Sequence, residues 1–199
     1  MSELSNAHDR FFKVFLSNPQ TAADFIRYYL PKQVSDHLDL SQLTLIEGSF
    51  VDEELQQHFS DLLYQVKRNN NADAYIYVLF EHKSYPDKLI AFQLLRYMTK
   101  IWQQFLKENN KTPLPPIVPV VIYHGQKNWK IALNFQSLFN DPGELSPFLP
   151  EFHYHLSDLS RYEDEEIKGD VILRTALLLD FGQSQLARHW PSKKKQLKN

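Results

Sequence analysis

Asp61, Glu81 and Lys83 are the residues whose types and spacing are most ready for chemistry. Mg²⁺ takes one or two carboxylates and completes its octahedron with water and phosphate oxygens, which is what Asp61 and Glu81 can offer. The ion would neutralise phosphate charge and lower the pKa of an attacking water. Lys83 would orient that water or stabilise the charge of the phosphorane, because an ammonium acts more strongly where water is excluded. The trio is chemically sufficient for phosphodiester hydrolysis. Spacing alone, however, describes a surface Glu-x-Lys pair with an unrelated aspartate more often than it describes a site. The chain has no cysteine, which removes disulfides, thiolate nucleophiles, thiolate zinc sites and iron–sulfur clusters. Chemistry is left to oxygen and nitrogen.

A β-hairpin must bring these residues together. The β-rich runs Asp61–Lys67 and Ala74–Glu81 flank Asn69-Asn70-Asn71-Ala72-Asp73, whose residues tolerate the left-handed turn region. Side chains alternate along a strand, so Tyr75, Tyr77, Leu79, Glu81 and Lys83 share one face, and Ile76, Val78, Phe80 and His82 the other. On the first run Leu62, Tyr64 and Val66 form the apolar face. Matching the two apolar faces requires paired residue numbers with an even sum, which sets Asp61 on the face of Glu81 and Lys83. A sum of 142 places Asp61 directly opposite Glu81, and 140 or 144 places them diagonally, still near enough to share a cation. The even face reads as core.

The surrounding elements follow from the same patterning. Phe11, Phe12, Phe15 and Leu16, then Phe25, Ile26, Tyr29 and Leu30, recur at helical spacing on either side of Asn18-Pro19, an N-cap and first-turn proline. Gln42–Ile46 reads as a strand. Pro86 opens a helix to about Lys107, closed by the proline-rich Thr112–Pro116. Ile117–Tyr123 is continuously apolar, as expected of a strand buried on both faces. A short helix near Phe135–Phe139, a strand at Phe152–Leu156 and a last helix over Val171–Phe181 complete an α/β chain with a mixed sheet.

Composition sets the outer bounds. A chain of 199 residues, 43% hydrophobic and 14% aromatic, packs a core and fits one domain, expected over 1–182. The net charge of −2 hides an asymmetry: Gln183–Asn199 has five basic residues and no acid, leaving 17 basic against 24 acidic elsewhere, a net of −7. The segment 183–199 reads as a flexible basic tail. The N-terminus has no signal-peptide pattern and the strongest apolar runs are too short to span a membrane, so a cytoplasmic location without membrane contact is expected.

Gln93 and Tyr97 add a second constraint, since residues four apart lie on one helical face. Asp61, Glu81-x-Lys83 and Gln93-x-x-x-Tyr97 in that order match the motif sequence of the PD-(D/E)XK nuclease superfamily in its RecB-like form. Phe59-Ser-Asp-Leu-Leu-Tyr64, Phe80-Glu-His-Lys-Ser84, Phe92-Gln-Leu-Leu-Arg-Tyr-Met98, Val118-Pro-Val-Val-Ile-Tyr-His-Gly125 and His8-Asp-Arg-Phe-Phe-Lys13 resemble the Rpn family of recombination-promoting nucleases, over about residues 7 to 182.

That resemblance implies a restriction-endonuclease-like fold, a central mixed β-sheet flanked by helices, and a metal-dependent bacterial DNA endonuclease associated with recombination, transposition and phage defence. It implies that Asp61 and Glu81 bind Mg²⁺, with Mn²⁺ or Ca²⁺ able to substitute, and that the backbone carbonyl of His82 completes the shell. Lys83 becomes the motif lysine, and Gln93 and Tyr97 stand beside the site, contacting phosphate or supporting Lys83. Asp9 approaches the metal from the first helix, or caps that helix. Lys67, Arg68 and Lys100 are candidate DNA contacts, and a homodimer would suit a double-strand cutter. The alternative is a catalytically silent DNA-binding or partner-binding module on the same fold.

Overall fold

The computed structural model describes residues 13–46, 61–81, 86–110, 112–123, 127–162, 166–175 and 177, with Phe80, Glu81 and Ser160 described through their backbone. Residues 13–16 are helical and stop at Ser17. Asn18 then caps α1 (Pro19–Tyr29), its Oδ1 accepting the amides of Gln20 at 2.9 Å and Thr21 at 3.3 Å. The proline at N1 has no amide to satisfy there, as the sequence predicts. A single turn, α2 (Lys32–Ser35), leads into β1 (Leu38–Leu45).

β1 starts four residues before the predicted Gln42–Ile46. Its register on β2 (Leu62–Arg68) shifts between Asp39 and Thr44. Asp39 causes the irregularity locally: its carboxylate accepts the Ser41 amide (3.1 Å), the Ser41 hydroxyl (2.5 Å) and Gln42 Nε2 (2.5 Å). An aspartate that binds its own following backbone competes with the ladder.

β2 and β3 (Asp73–Glu81) form the predicted hairpin. Its turn is closed by the Arg68 amide on Ala72 O at 2.8 Å and the Asn71 amide on Arg68 O at 2.7 Å, with Asn71 in the left-handed region at φ 65°. Pairs run from Leu62–Val78 to Lys67–Asp73, all summing to 140. The even-sum requirement holds, in its diagonal form.

α3 (Ile90–Asn109) starts later than predicted. Asp87 forms a turn instead, accepting the Leu89 amide on Oδ1 (2.9 Å) and the Ile90 amide on its carbonyl (3.1 Å), which leaves Pro86 outside the helix. Asn110, left-handed at φ 46°, ends α3 ahead of the prolines. β4 (Ile117–Tyr123) lies where predicted, parallel to β3 on one side and to β5 (His155–Asp158) on the other. Pro119, which cannot donate to a ladder, precedes the first β4–β5 pair at Val120–His155. β5 starts three residues later than predicted because residues 152–154 hydrogen-bond elsewhere: Phe135 N to Phe152 O and Tyr154 N to Leu133 O, both 3.0 Å. Near Phe135–Phe139 the helix is a single 3-10 turn, Gln136–Leu138. Helix over 171–175 agrees with the expected start of the last helix.

The sheet order is β1-β2-β3-β4-β5, mixed and covered on both faces. The even face, with Tyr64, Val66, Ile76, Val78, Val120 and Ile122, packs on α1 and on Leu173 and Leu177. The odd face, with Leu63, Tyr75, Tyr77, Leu79, Val121 and Tyr123, packs on α3 through Ile90, Leu94, Tyr97, Met98 and Ile101. For the hairpin the sequence assigned core to the even face, and for Ile117–Tyr123 it expected burial on both. Both faces are core; the odd face carries Gln65, Lys67 and Asp73 at its turn end, and at its other end Asp61, the backbone position of Glu81, and Asp158 in register with Tyr123.

Candidate active site

Asp61 immediately precedes β2, so continuing the 140 register sets it across from Leu79. Tyr77 and Glu81 are two residues to either side of Leu79, and all four positions share one face. The diagonal on the Tyr77 side is made: the Tyr77 hydroxyl donates to Asp61 Oδ2. Asp61 is half-buried and its Oδ1 is shielded from solvent. Glu81 occupies the other diagonal by its backbone, opposite Tyr123 of β4.

α3 lies across this face and runs back along β3. Tyr97 stacks on Tyr77, ring centroids 5.0 Å apart and tilted by 31°. Burial pushes the Tyr97 phenol up to about 12, with the negative charge of Asp61 adding to the rise, while polar contacts from Gln93 and Tyr77 and the charge of Arg96 oppose it. Tyr77 is raised well above its ordinary value, first by burial and then by the Asp61 charge. Both are phenols at neutral pH and can donate a hydrogen bond. From Tyr97, one helical turn of about 5.4 Å toward the start of α3 reaches Gln93, moving the same way that β3 moves from Tyr77 toward Glu81. Asp61, Gln93 and Tyr97, far apart in sequence, thus converge with Tyr77 at one end of the sheet face.

Sequence reasoning missed Tyr77. Its signal was there, since Tyr77 shares the face and parity of Glu81, but an aromatic in a β-rich run reads as core. Lys67 and Arg68 are not part of the cluster. They lie at the turn end of β2, about 20 Å along the strand from Asp61, and Lys67 Nζ is 2.8 Å from Asp73 Oδ1, which lowers the Asp73 pKa. Lys100 lies on α3 one turn beyond Tyr97. Asp9, His82 and Lys83 lie outside the described residues, as does the tail 183–199. Another buried carboxylate, Asp158 of β5, is ion-paired with Arg161 Nε at 2.8 Å.

The family described as "Putative transposase, YhgA-like" matches residues 6–190. The chain belongs to this family. Among curated relatives of this YhgA-like chain, Recombination-promoting nuclease RpnD of Escherichia coli O157:H7 is 38% identical over 183 residues, 92% of this chain and 68% of that protein. Recombination-promoting nuclease RpnA of Escherichia coli K12 is 38% identical over 82% of this chain and 55% of its own length. Inactive recombination-promoting nuclease-like protein RpnE of the same strain is 34% identical over 83% and 55%. The chain therefore spans between about half and two thirds of these relatives. No solved structure matches it. The relatives of the chain thus include recombination-promoting nucleases and an inactive form, which agrees with the expected Rpn resemblance. No described helix is long and apolar enough to cross a membrane.

Proposed function

We propose that this chain is a metal-dependent DNA endonuclease with a PD-(D/E)XK-type site. One observation carries the reading: Asp61, pinned by Tyr77 on the odd face of the sheet, stands at the strand end where Glu81 occupies the same face, with Gln93 and Tyr97 brought up by α3. Among the described residues no three His, Asp or Glu side chains converge as a ready metal cluster. The donor set nevertheless suits Mg²⁺, which needs only one or two carboxylates and takes water and phosphate oxygens for the rest.

Asp61 and Glu81 would hold the ion, with the His82 carbonyl and Asp9 as further oxygens. When bound, Mg²⁺ supplies charge neutralisation at the phosphate and acidifies water, and Mn²⁺ or Ca²⁺ can enter the same oxygen set. Tyr77 holds the Asp61 carboxylate in one rotamer. Lys83, two residues beyond Glu81, orients the attacking water by its ammonium. Gln93 and Tyr97 present an amide and a phenol that hold phosphate oxygens or Lys83. The setting we infer is DNA recombination and defence against phage in the cytoplasm, with a homodimer cutting both strands.

The test is plasmid nicking in Mg²⁺ by the unaltered chain, Asp61→Ala and Lys83→Ala. A loss of more than about 100-fold in both variants supports the assignment, and equal nicking by all three sinks it. Phage plating on cells making Asp61→Ala checks the defence role. A second reading, a silent DNA-binding or partner-binding module, is favoured by the inactive relatives, including the putative inactive nuclease-like YjiP of Escherichia coli K12, 47% identical over 93 residues. It predicts DNA binding with no nicking under any divalent ion.

A further inference from the structure

Within residues 1–182 one helix carries basic residues with almost no acid. Between Lys88 and Lys107 there are four basic residues and no acid, while the rest of residues 1–182 carries 13 basic against 24 acidic. That acid-free segment covers α3 as far as Lys107, the helix that brings Gln93 and Tyr97 to the candidate site. At 3.6 residues per turn, Arg96, Lys100 and Lys107 fall within about 40° of one another around the helix. Gln93, Gln103 and Gln104 lie on the same stripe. Arg96, Gln103 and Lys107 are exposed and Gln93, Lys100 and Gln104 half-buried, whereas the face opposed to the sheet buries Leu94, Met98 and Ile101. Phe92 and Leu89, 49% and 60% exposed, continue the stripe at its site end. The next acid, Glu108, accepts a hydrogen bond from Gln104 at 2.6 Å.

We infer that this stripe of α3 is the track on which a duplex DNA backbone lies as it enters the site. The inference deepens, and rests on, the nucleic-acid reading above. From Gln93 to Lys107 the stripe is about 21 Å long, the axial length of about six nucleotide steps at 3.4 Å each. Amides and cations in one row are the groups that contact phosphate oxygens without reading sequence. The rest of residues 1–182 is net acidic, so the local field of α3 orients the duplex with its phosphates toward Gln93.

The experiment measures fluorescence anisotropy of a labelled 20-base-pair duplex against salt, in EDTA so that nothing is cut. The chain with Arg96→Gln, Lys100→Gln and Lys107→Gln is compared with a charge-matched chain carrying Lys32→Gln, Lys168→Gln and Arg174→Gln. The backbone of Lys168 and the charge of Arg174 both reach Tyr29 of α1, across the sheet from α3. Each lost phosphate contact removes about 0.9 from the slope of log K against log salt. The α3 variant is expected to lose between about two and three slope units and at least about tenfold in affinity, and the control to lose neither. Lys107→Glu, near the exposed end of the helix, is expected to weaken binding in the same direction with no change in thermal melting. Equal slopes for the two triple variants overturn the inference, as does binding of the unaltered chain to phosphatidylserine vesicles but not to duplex. Failure of the unaltered chain to nick DNA in Mg²⁺ while the α3 effect persists counts against the nuclease reading alone.

Discussion

The Tyr77 hydroxyl reaches across the hairpin to Oδ2 of Asp61, joining the core of the odd face to a carboxylate at the site end. A buried phenol whose pKa is raised stays protonated and so remains a donor. Tyr77→Phe keeps the ring against Tyr97 and removes only that donor. Mg²⁺-dependent nicking should fall by about 10- to 100-fold, with a higher Mg²⁺ requirement, as for other groups that orient metal ligands. Stability should fall by about 1.5–3 kcal/mol, typical of a hydrogen bond to a charged group. Unchanged Mg²⁺ dependence with lowered stability would reduce Tyr77 to a packing residue.

Tyr97 and Gln93 act from the helix rather than the sheet. Because the Tyr97 phenol is pushed up to about 12, it does not ionise in the neutral range and cannot serve as a general base there. Tyr97→Phe should therefore lower the rate of nicking without altering the shape of the pH–rate profile between about pH 6 and 10. Loss of a titrating limb in that variant would contradict the donor role. Gln93→Ala should give the same profile, also at a lower plateau.

Much of this arrangement was legible in the sequence because it depends on parity and helical period. Leu62, Tyr64 and Val66 against Ile76 and Val78 dictated an even pairing sum, and parity alone put Asp61 on the face of Glu81. Gln93 and Tyr97 share a helix face by spacing. What parity cannot supply is depth. Tyr75, Tyr77 and Leu79 alternate with an equally apolar set, so nothing local says that α3 covers them, and Tyr77 read as core rather than as the partner of Asp61. The start of α3 was misjudged where a side chain took over backbone bonding, at Asp87, and the register shift in β1 was hidden in the same way at Asp39. β5 was misplaced because residues 152–154 pair with residues 133–135, a contact between segments whose patterns do not announce it.

His155 ties β5 to α1, its Nε2 standing 2.6 Å from the carbonyl oxygen of Tyr29. Burial lowers its pKa, the Tyr29 carbonyl opposing in part. A histidine held neutral in the folded state is protonated first in the unfolded chain as the pH falls below about 6.5. Its contribution is thus complete above that value and is lost as the pH falls toward the folded pKa. His155→Gln retains a donor and cannot titrate. Urea unfolding at about pH 8 and about pH 5 should show a smaller loss of stability on acidification in this variant than in the unaltered chain, and an equal loss would refute the assignment.

Asn71 closes the turn of the hairpin on whose register the site depends. It holds φ 65° in the turn that joins the pairs summing to 140, and a slip by one residue would carry Asp61 to the α1 face, away from Glu81. Asparagine tolerates the left-handed region and glycine enters it without penalty, whereas a β-branched residue does not. Asn71→Gly should stay within about 0.5 kcal/mol of the unaltered chain, and Asn71→Val should cost at least about 1–2 kcal/mol, both by denaturant unfolding. The register itself is held by Leu62, Tyr64, Val66, Ile76 and Val78, all buried on the even face. Folded Asn71→Val should therefore keep the Tyr77–Asp61 contact and cleave at the unaltered rate per folded molecule. A variant that folds stably yet loses cleavage would show that the turn, and not the apolar face, sets the alignment of the two carboxylate positions.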